Sequence, residues 1–172
     1  RSEGTVRALL GKELMTENGL LTEQGSSTFW DRSTLYALRG IYIAGQADRA
    51  TEFLSHYARR RLLGDHVPYP IEAWPEGSQR HLAAESGLFC RVITEGLFGI
   101  RPTGFRSFDL TPSMPSGWNR MALRHIRAFE NNFDLVIEKQ PDGFLRVTLA
   151  ISGRNPRAFR LRQGASLRIK LP

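Results

Sequence analysis

The spacing of apolar residues changes once along this chain, near residue 100, and that change limits the folds open to it. Before it, apolar residues recur every three or four positions. Ala47, Ala50, Phe53, Leu54, Tyr57 and Ala58 form one stripe down a helix expected over residues 47–63. After it, apolar and polar residues alternate. "FRSFDLTP", "MALRHIRAF", "FDLVIEK", "FLRVTLAI", "AFRLR" and "SLRIKL" predict six short strands. Helices followed by strands imply separate layers or domains. The boundaries that follow are a helical part over 1–100 and an antiparallel β part over 101–172.

Within the first part, "SEGTVRALLGKELM" predicts a helix with Ser2 as its N-cap. A second helix is expected from residue 31 or 33 to 44, stopped by Gly45, which tolerates a positive φ. A residue or two then leads into the helix over 47–63, so the pair should be an antiparallel hairpin. The loop "GDHVPYPIEAWPEGSQ" follows, and a fourth helix is expected over 80–98, ending at Gly99. In the second part, "QPDGF" carries the Asp-Gly signal of a hairpin between the third and fourth strands.

Composition removes several function classes. Apolar residues make up 41% and charged residues 24% of the 172, as in a globular protein. No apolar run reaches the ~18–20 residues that cross a bilayer. The opening "RSEGTVRALLGKELM" lacks the apolar core and cleavage site of a signal peptide. One cysteine, Cys90, cannot form an intrachain disulfide, which leaves the compartment open. Its stretch "LFCRVI" predicts a buried structural thiol. The four histidines show no metal-ligand spacing, so neither metal nor cofactor is expected. Charge is unequal: residues 1–100 hold 11 Lys/Arg against 12 Asp/Glu, and residues 101–172 hold 13 against 5. The net +7 therefore resides in the β part. Such a basic face can bind nucleic acid or an acidic polysaccharide, but alternation places these arginines on a solvated sheet face.

"GLLTEQGSSTFWDRSTLYALRGIYIAG" resembles the segment before the last helical hairpin of six-hairpin, (α/α)6-barrel glycosidases, the group of trehalases, processing α-glucosidases and α-L-rhamnosidases. There a loop ends in Trp-Arg near the start of an inner helix. Here it reads Phe29-Trp30-Asp31-Arg32-Ser33, with an inserted aspartate and no Gly-Pro. Glu72-Ala73-Trp74 stands where the family has an acidic residue beside an aromatic. "EGLFGIRPTGFRSFDLTPSMPSGW" is similar to the family's link into a trailing β-domain. The resemblance implies an α+β chain, in which the last hairpins of an (α/α)6 toroid precede an antiparallel sheet or sandwich. The chain starts at Arg1 without a methionine. It is therefore expected to be a fragment whose partner is the missing N-terminal part of the same enzyme.

The activity implied is glycoside hydrolysis by inversion on an oligo- or polysaccharide. That reaction needs a protonated acid and, about 6.5–9.5 Å away, a carboxylate that activates water. By position Glu72 is the first choice for the base and Glu76 the second, with the acid upstream of this chain. Trp30 and Trp74 suit stacking on a sugar ring or a place in the core. Arg32 can bind hydroxyls or pair with Asp31. His81 can contact substrate, cap its helix or pair with Glu85 one turn on. Glu95 is expected as a cap or hinge, and Trp118 as packing between the layers. Three other readings stay open. A toroidal polysaccharide lyase would use Tyr69, His66, His81 and Arg32, and a phosphorylase would need no base. A basic non-catalytic module would bind nucleic acid or glycan. No membrane partner is expected, and neither is nucleic acid on the favoured reading.

Overall fold

The computed structural model describes residues 2–16, 19–21, 28–62, 70, 72–74 and 83–172, which fall into two compact units, 1–97 and 98–172. In the first unit α1 (Ser2–Leu9) precedes a small antiparallel pair, β1 (Met15–Thr16) and β2 (Gly19–Leu20). β3 (Phe29–Trp30) runs directly into α2 (Asp31–Ile43), and α3 (Ala47–Arg61) follows. β4 (Ala73–Trp74) pairs antiparallel with β3. α4 (Ala83–Arg91) continues as a π-helical turn over Val92–Leu97.

α2 is the centre of this unit. Its buried residues Asp31, Thr34, Leu35, Leu38, Ile41 and Tyr42 share one face, set by the helical repeat. The π-helical turn packs closely on that face: a Cβ on Gly96 would lie 3.1 Å from the Tyr42 ring. α2 ends as expected from Gly45, which has φ +80°. The Gly45 N–H donates to the Tyr42 carbonyl at 2.9 Å and the Gln46 N–H to the Ile41 carbonyl at 3.1 Å. These are the two hydrogen bonds of a Schellman cap.

In the second unit, β7 (Arg120–Ala128), β8 (Asn131–Lys139), β9 (Phe144–Ile151) and β10 (Arg157–Arg162) form an antiparallel sheet in the order β10-β9-β8-β7. β5 (Ile100–Gly104), β6 (Ser107–Leu110) and β11 (Leu167–Lys170) form a second sheet in the order β11-β6-β5. Alternation buries Phe133, Leu135 and Ile137 of β8 with Leu145, Val147 and Leu149 of β9. Phe108 of β6 stacks on Phe133 at 6.0 Å between ring centroids, joining the sheets across a common core. The expected hairpin is present between β8 and β9. Gly143 takes φ +80° and Asp142 accepts the Phe144 N–H at 3.0 Å.

The six-hairpin expectation is corrected. Among the described residues there are four helices and eleven strands in four antiparallel sheets, so the structure is mostly β. Among the described residues only α2 and α3 are joined directly as a helical hairpin, and no series of long hairpins stacks beside them. The helices run from 8 to 15 residues. The first unit instead closes α2 with short strand pairs and the π-helical turn. The link "GIRPTG" is itself strand β5, which the sequence pattern missed because four of its five residues are exposed and none alternates inward.

Candidate functional site

The pairing of β3 with β4 brings together two loops that lie far apart in sequence. Phe29 is opposite Trp74 and Trp30 opposite Ala73. The Asp31 N–H then donates to the Glu72 carbonyl at 3.0 Å, extending the pairing by one step. The half-buried Glu72 is thereby fixed at the first turn of α2, beside Trp30, Asp31 and Arg32.

Asp31 and Arg32 diverge from there. Asp31 is fully buried and accepts from the Tyr57 hydroxyl at 3.0 Å and from Arg61 Nε at 3.1 Å. Burial pushes its carboxyl up from 3.8 to about 6, outweighing the attraction of Arg61. Burial, then the Asp31 charge, raises the Tyr57 hydroxyl well above its ordinary value. The Arg61 guanidinium lies over the Trp74 ring at 4.8 Å, and that of Arg60 at 5.0 Å. Asp31 therefore ties the start of α2 to the end of α3, with Trp74 covering the ion pair.

Arg32 faces outward, with 47% of its side chain exposed, yet its partner Glu85 is fully buried. Arg32 Nε and an Nη meet the same oxygen, Oε1, at 2.8 and 2.7 Å. Hydrogen bonding to Glu85 raises the Arg32 pKa, and the charge of Glu72 adds to the effect. Arg32 thus lies within the field of two carboxylates. Glu85 Oε2 and the neighbouring Ser86 hydroxyl are buried, with no hydrogen-bond partner among the described residues.

The structure thus sets Glu72, Trp30 and Trp74 on one short strand pair next to Arg32, with Trp30 and Trp74 on opposite faces of that pair. Glu76 and His81, together with His66 and Tyr69, lie outside the described residues. Several other expectations change. Asp31 pairs with Arg61 instead of Arg32, because the first turn of α2 points it inward. Glu85 pairs with Arg32, and Trp74 carries guanidinium groups on its ring. Glu95 is half-exposed and forms ion pairs with Arg91 and Arg39, and hydrogen bonding to Arg91 holds it below the usual carboxylate range. Cys90 is exposed, not buried, because it lies on the outward face of α4. Trp118 is 39% exposed. The buried Tyr57–Arg61 pair is the part that sequence reasoning missed. Its signal was an arginine at the next turn of the apolar stripe on α3, a position that demands a buried carboxylate.

No family model matches the chain, and neither a curated protein nor a solved structure is detectably similar to it.

Proposed function

We propose that this chain carries the water-activating carboxylate of a glycoside hydrolase, with Glu72 as the general base. The observation that supports it is the 3.0 Å hydrogen bond from the Asp31 N–H to the Glu72 carbonyl. It fixes the backbone of Glu72 at the first turn of α2, where the Glu72 charge acts on Arg32, and arginine and tryptophan are side chains that sugar recognition uses. Chemistry of this kind resides in a site and not in a fold, so it does not depend on a toroid.

On this reading Glu72 takes a proton from water as the oxygen bonds to the anomeric carbon and the glycosidic bond breaks, the leaving oxygen taking its proton from a separate general acid. Arg32, aimed by Glu85, donates to sugar hydroxyls. Trp30 supplies the stacking face. Trp74 becomes a positioning residue, since guanidinium groups occupy its ring.

Glycosyl fluorides test the base in isolation, because fluoride leaves without needing a proton. A panel of α- and β-glycosyl fluorides is incubated with the chain and fluoride release is followed. Release above buffer is expected for at least one sugar, falling by about 100-fold or more in Glu72→Gln. Glu52→Gln, at an exposed position on α3, serves as the control and leaves the rate unchanged. Unaltered release by Glu72→Gln removes that residue from the role. No release from any member of the panel removes the hydrolase reading.

A further inference from the structure

The second unit uses all of its carboxylates internally. Asp109 pairs with Arg101 and Arg168, Glu130 with Arg106, Asp134 with Arg124, Glu138 with Arg120, and Asp142 with Arg160. Seven of the thirteen Lys and Arg residues in 101–172 are left with no carboxylate in ion-pair range among the described residues.

Two of these, Arg146 and Arg162, lie on the outer face of the four-stranded sheet. Strand register sets Arg120 opposite Glu138, Glu138 opposite Arg146, and Arg146 directly opposite Arg160. Arg162 is opposite Phe144 at the end of the same pair of strands. Arg146, Arg160 and Arg162 are all exposed. Like charges directly opposed across strands are destabilising, so the Arg146–Arg160 pair works against the fold that displays it. Arg160 has Asp142 at 2.8 Å as a counter-charge, whereas Arg146, opposite Glu138, has no carboxylate in ion-pair range among the described residues.

We infer that this face binds an acidic polysaccharide, with Arg146, Arg160 and Arg162 receiving its carboxylates. Adjacent strands lie about 4.8 Å apart, so guanidinium groups on neighbouring strands form a closely spaced flat row. Guanidinium forks match carboxylates in bidentate geometry. Nucleic acid fits less well. Single strands are held by stacking bases on open aromatic faces. Here Arg160 lies 3.6 Å and Arg162 5.5 Å from the Phe144 ring centroid, and Arg157 lies 5.1 Å from that of Phe159. The outer face of the sheet also offers no helix to enter a groove. The inference stands apart from the Glu72 site, since it requires binding without bond cleavage.

The test is direct titration of the 172-residue chain at low salt with three probes of matched length. These are an oligogalacturonate, a neutral gluco-oligosaccharide and a single-stranded oligonucleotide. The oligogalacturonate is expected to bind at least about tenfold more tightly than the neutral probe and to weaken steeply with added salt, as counterion release requires. Arg146→Gln with Arg162→Gln is expected to weaken it by about fivefold or more, with no fall in melting temperature. These side chains are exposed and bond to nothing in the core. Equal affinity for the neutral probe, or no change in the double variant, overturns the inference. Tighter binding of the oligonucleotide than of the oligogalacturonate also overturns it, in favour of a nucleic-acid surface.

Discussion

Replacing Asp31 with asparagine should remove a pH dependence from the first unit. Asp31 has no exposed surface, and its carboxyl is raised from 3.8 to about 6 by burial. The folded chain therefore binds this proton more tightly than the unfolded chain does. The resulting stability is fully present below about pH 4, declines as pH rises towards 6, and is absent above it. A shift of about two units at ~1.4 kcal/mol each corresponds to about 3 kcal/mol. Residual hydration of the ionised form should reduce this to about 2 kcal/mol. Asparagine keeps an oxygen for Tyr57 or Arg61 but cannot ionise. Urea unfolding followed by the fluorescence of Trp30 and Trp74, both in the first unit, supplies the measurement. Between about pH 4 and pH 7 the wild type should lose about 2 kcal/mol relative to Asp31→Asn. Parallel profiles would show that burial does not control this carboxyl. A wild type that gains on the variant as pH rises would falsify the reasoning outright, because Arg61 would then dominate.

Two further substitutions test the backbone of the second unit, with Trp118 fluorescence as the reporter. Gly99→Ala should destabilise it by about 3 kcal/mol or more, through left-handed strain and the loss of a hydrogen bond. Gly99 has φ +64°, and an added Cβ would lie 1.9 Å from the Thr111 carbonyl oxygen, in a pair where the Thr111 N–H donates to the Gly99 carbonyl. A loss below about 1 kcal/mol contradicts that close approach. Glu130→Gly should stabilise the unit by about 0.5 kcal/mol, the relief of one left-handed residue less the entropy of glycine. Phe129 and Glu130, with φ of 54° and 60°, form the two-residue turn between β7 and β8, where glycine is the favoured second residue. The exposed Arg106–Glu130 ion pair contributes little, so a net loss of stability would mean that it has been undervalued.

Local signals in the sequence were readable where one period or one turn residue decides the outcome. The apolar stripe placed α3 over Ala47–Arg61 against an expected 47–63, and Gly45 marked the end of α2. Alternation and Asp142-Gly143 located β8, β9 and the turn between them. Long-range arrangement was not readable in the same way. The toroid was inferred from the order of elements, and order does not say which faces meet. Glu72 was singled out from its place in an acidic loop, but its contact with Asp31 depends on a two-residue strand pairing. Such a pairing joins Phe29 to Trp74 across the intervening helices and leaves no periodic trace. Asp31 and Arg32 are adjacent and oppositely charged, so a local ion pair was the natural reading. The helical turn separates them by about 100°, sending one to the core and the other to solvent.

β10 is the last strand of its sheet, so its outer row of N–H and C=O groups has no neighbouring strand among the described residues. A bare edge of this kind is a template for another copy, and Arg157, Arg160 and Arg162 lie along it. Mutual repulsion of these cations keeps two such edges from meeting. Salt shortens the reach of that repulsion to about 3 Å at 1 M, while the backbone groups remain as sticky as before. Ionic strength therefore becomes a colloidal control on this chain: dilute buffer keeps the molecules apart, and concentrated salt leaves the edge unguarded.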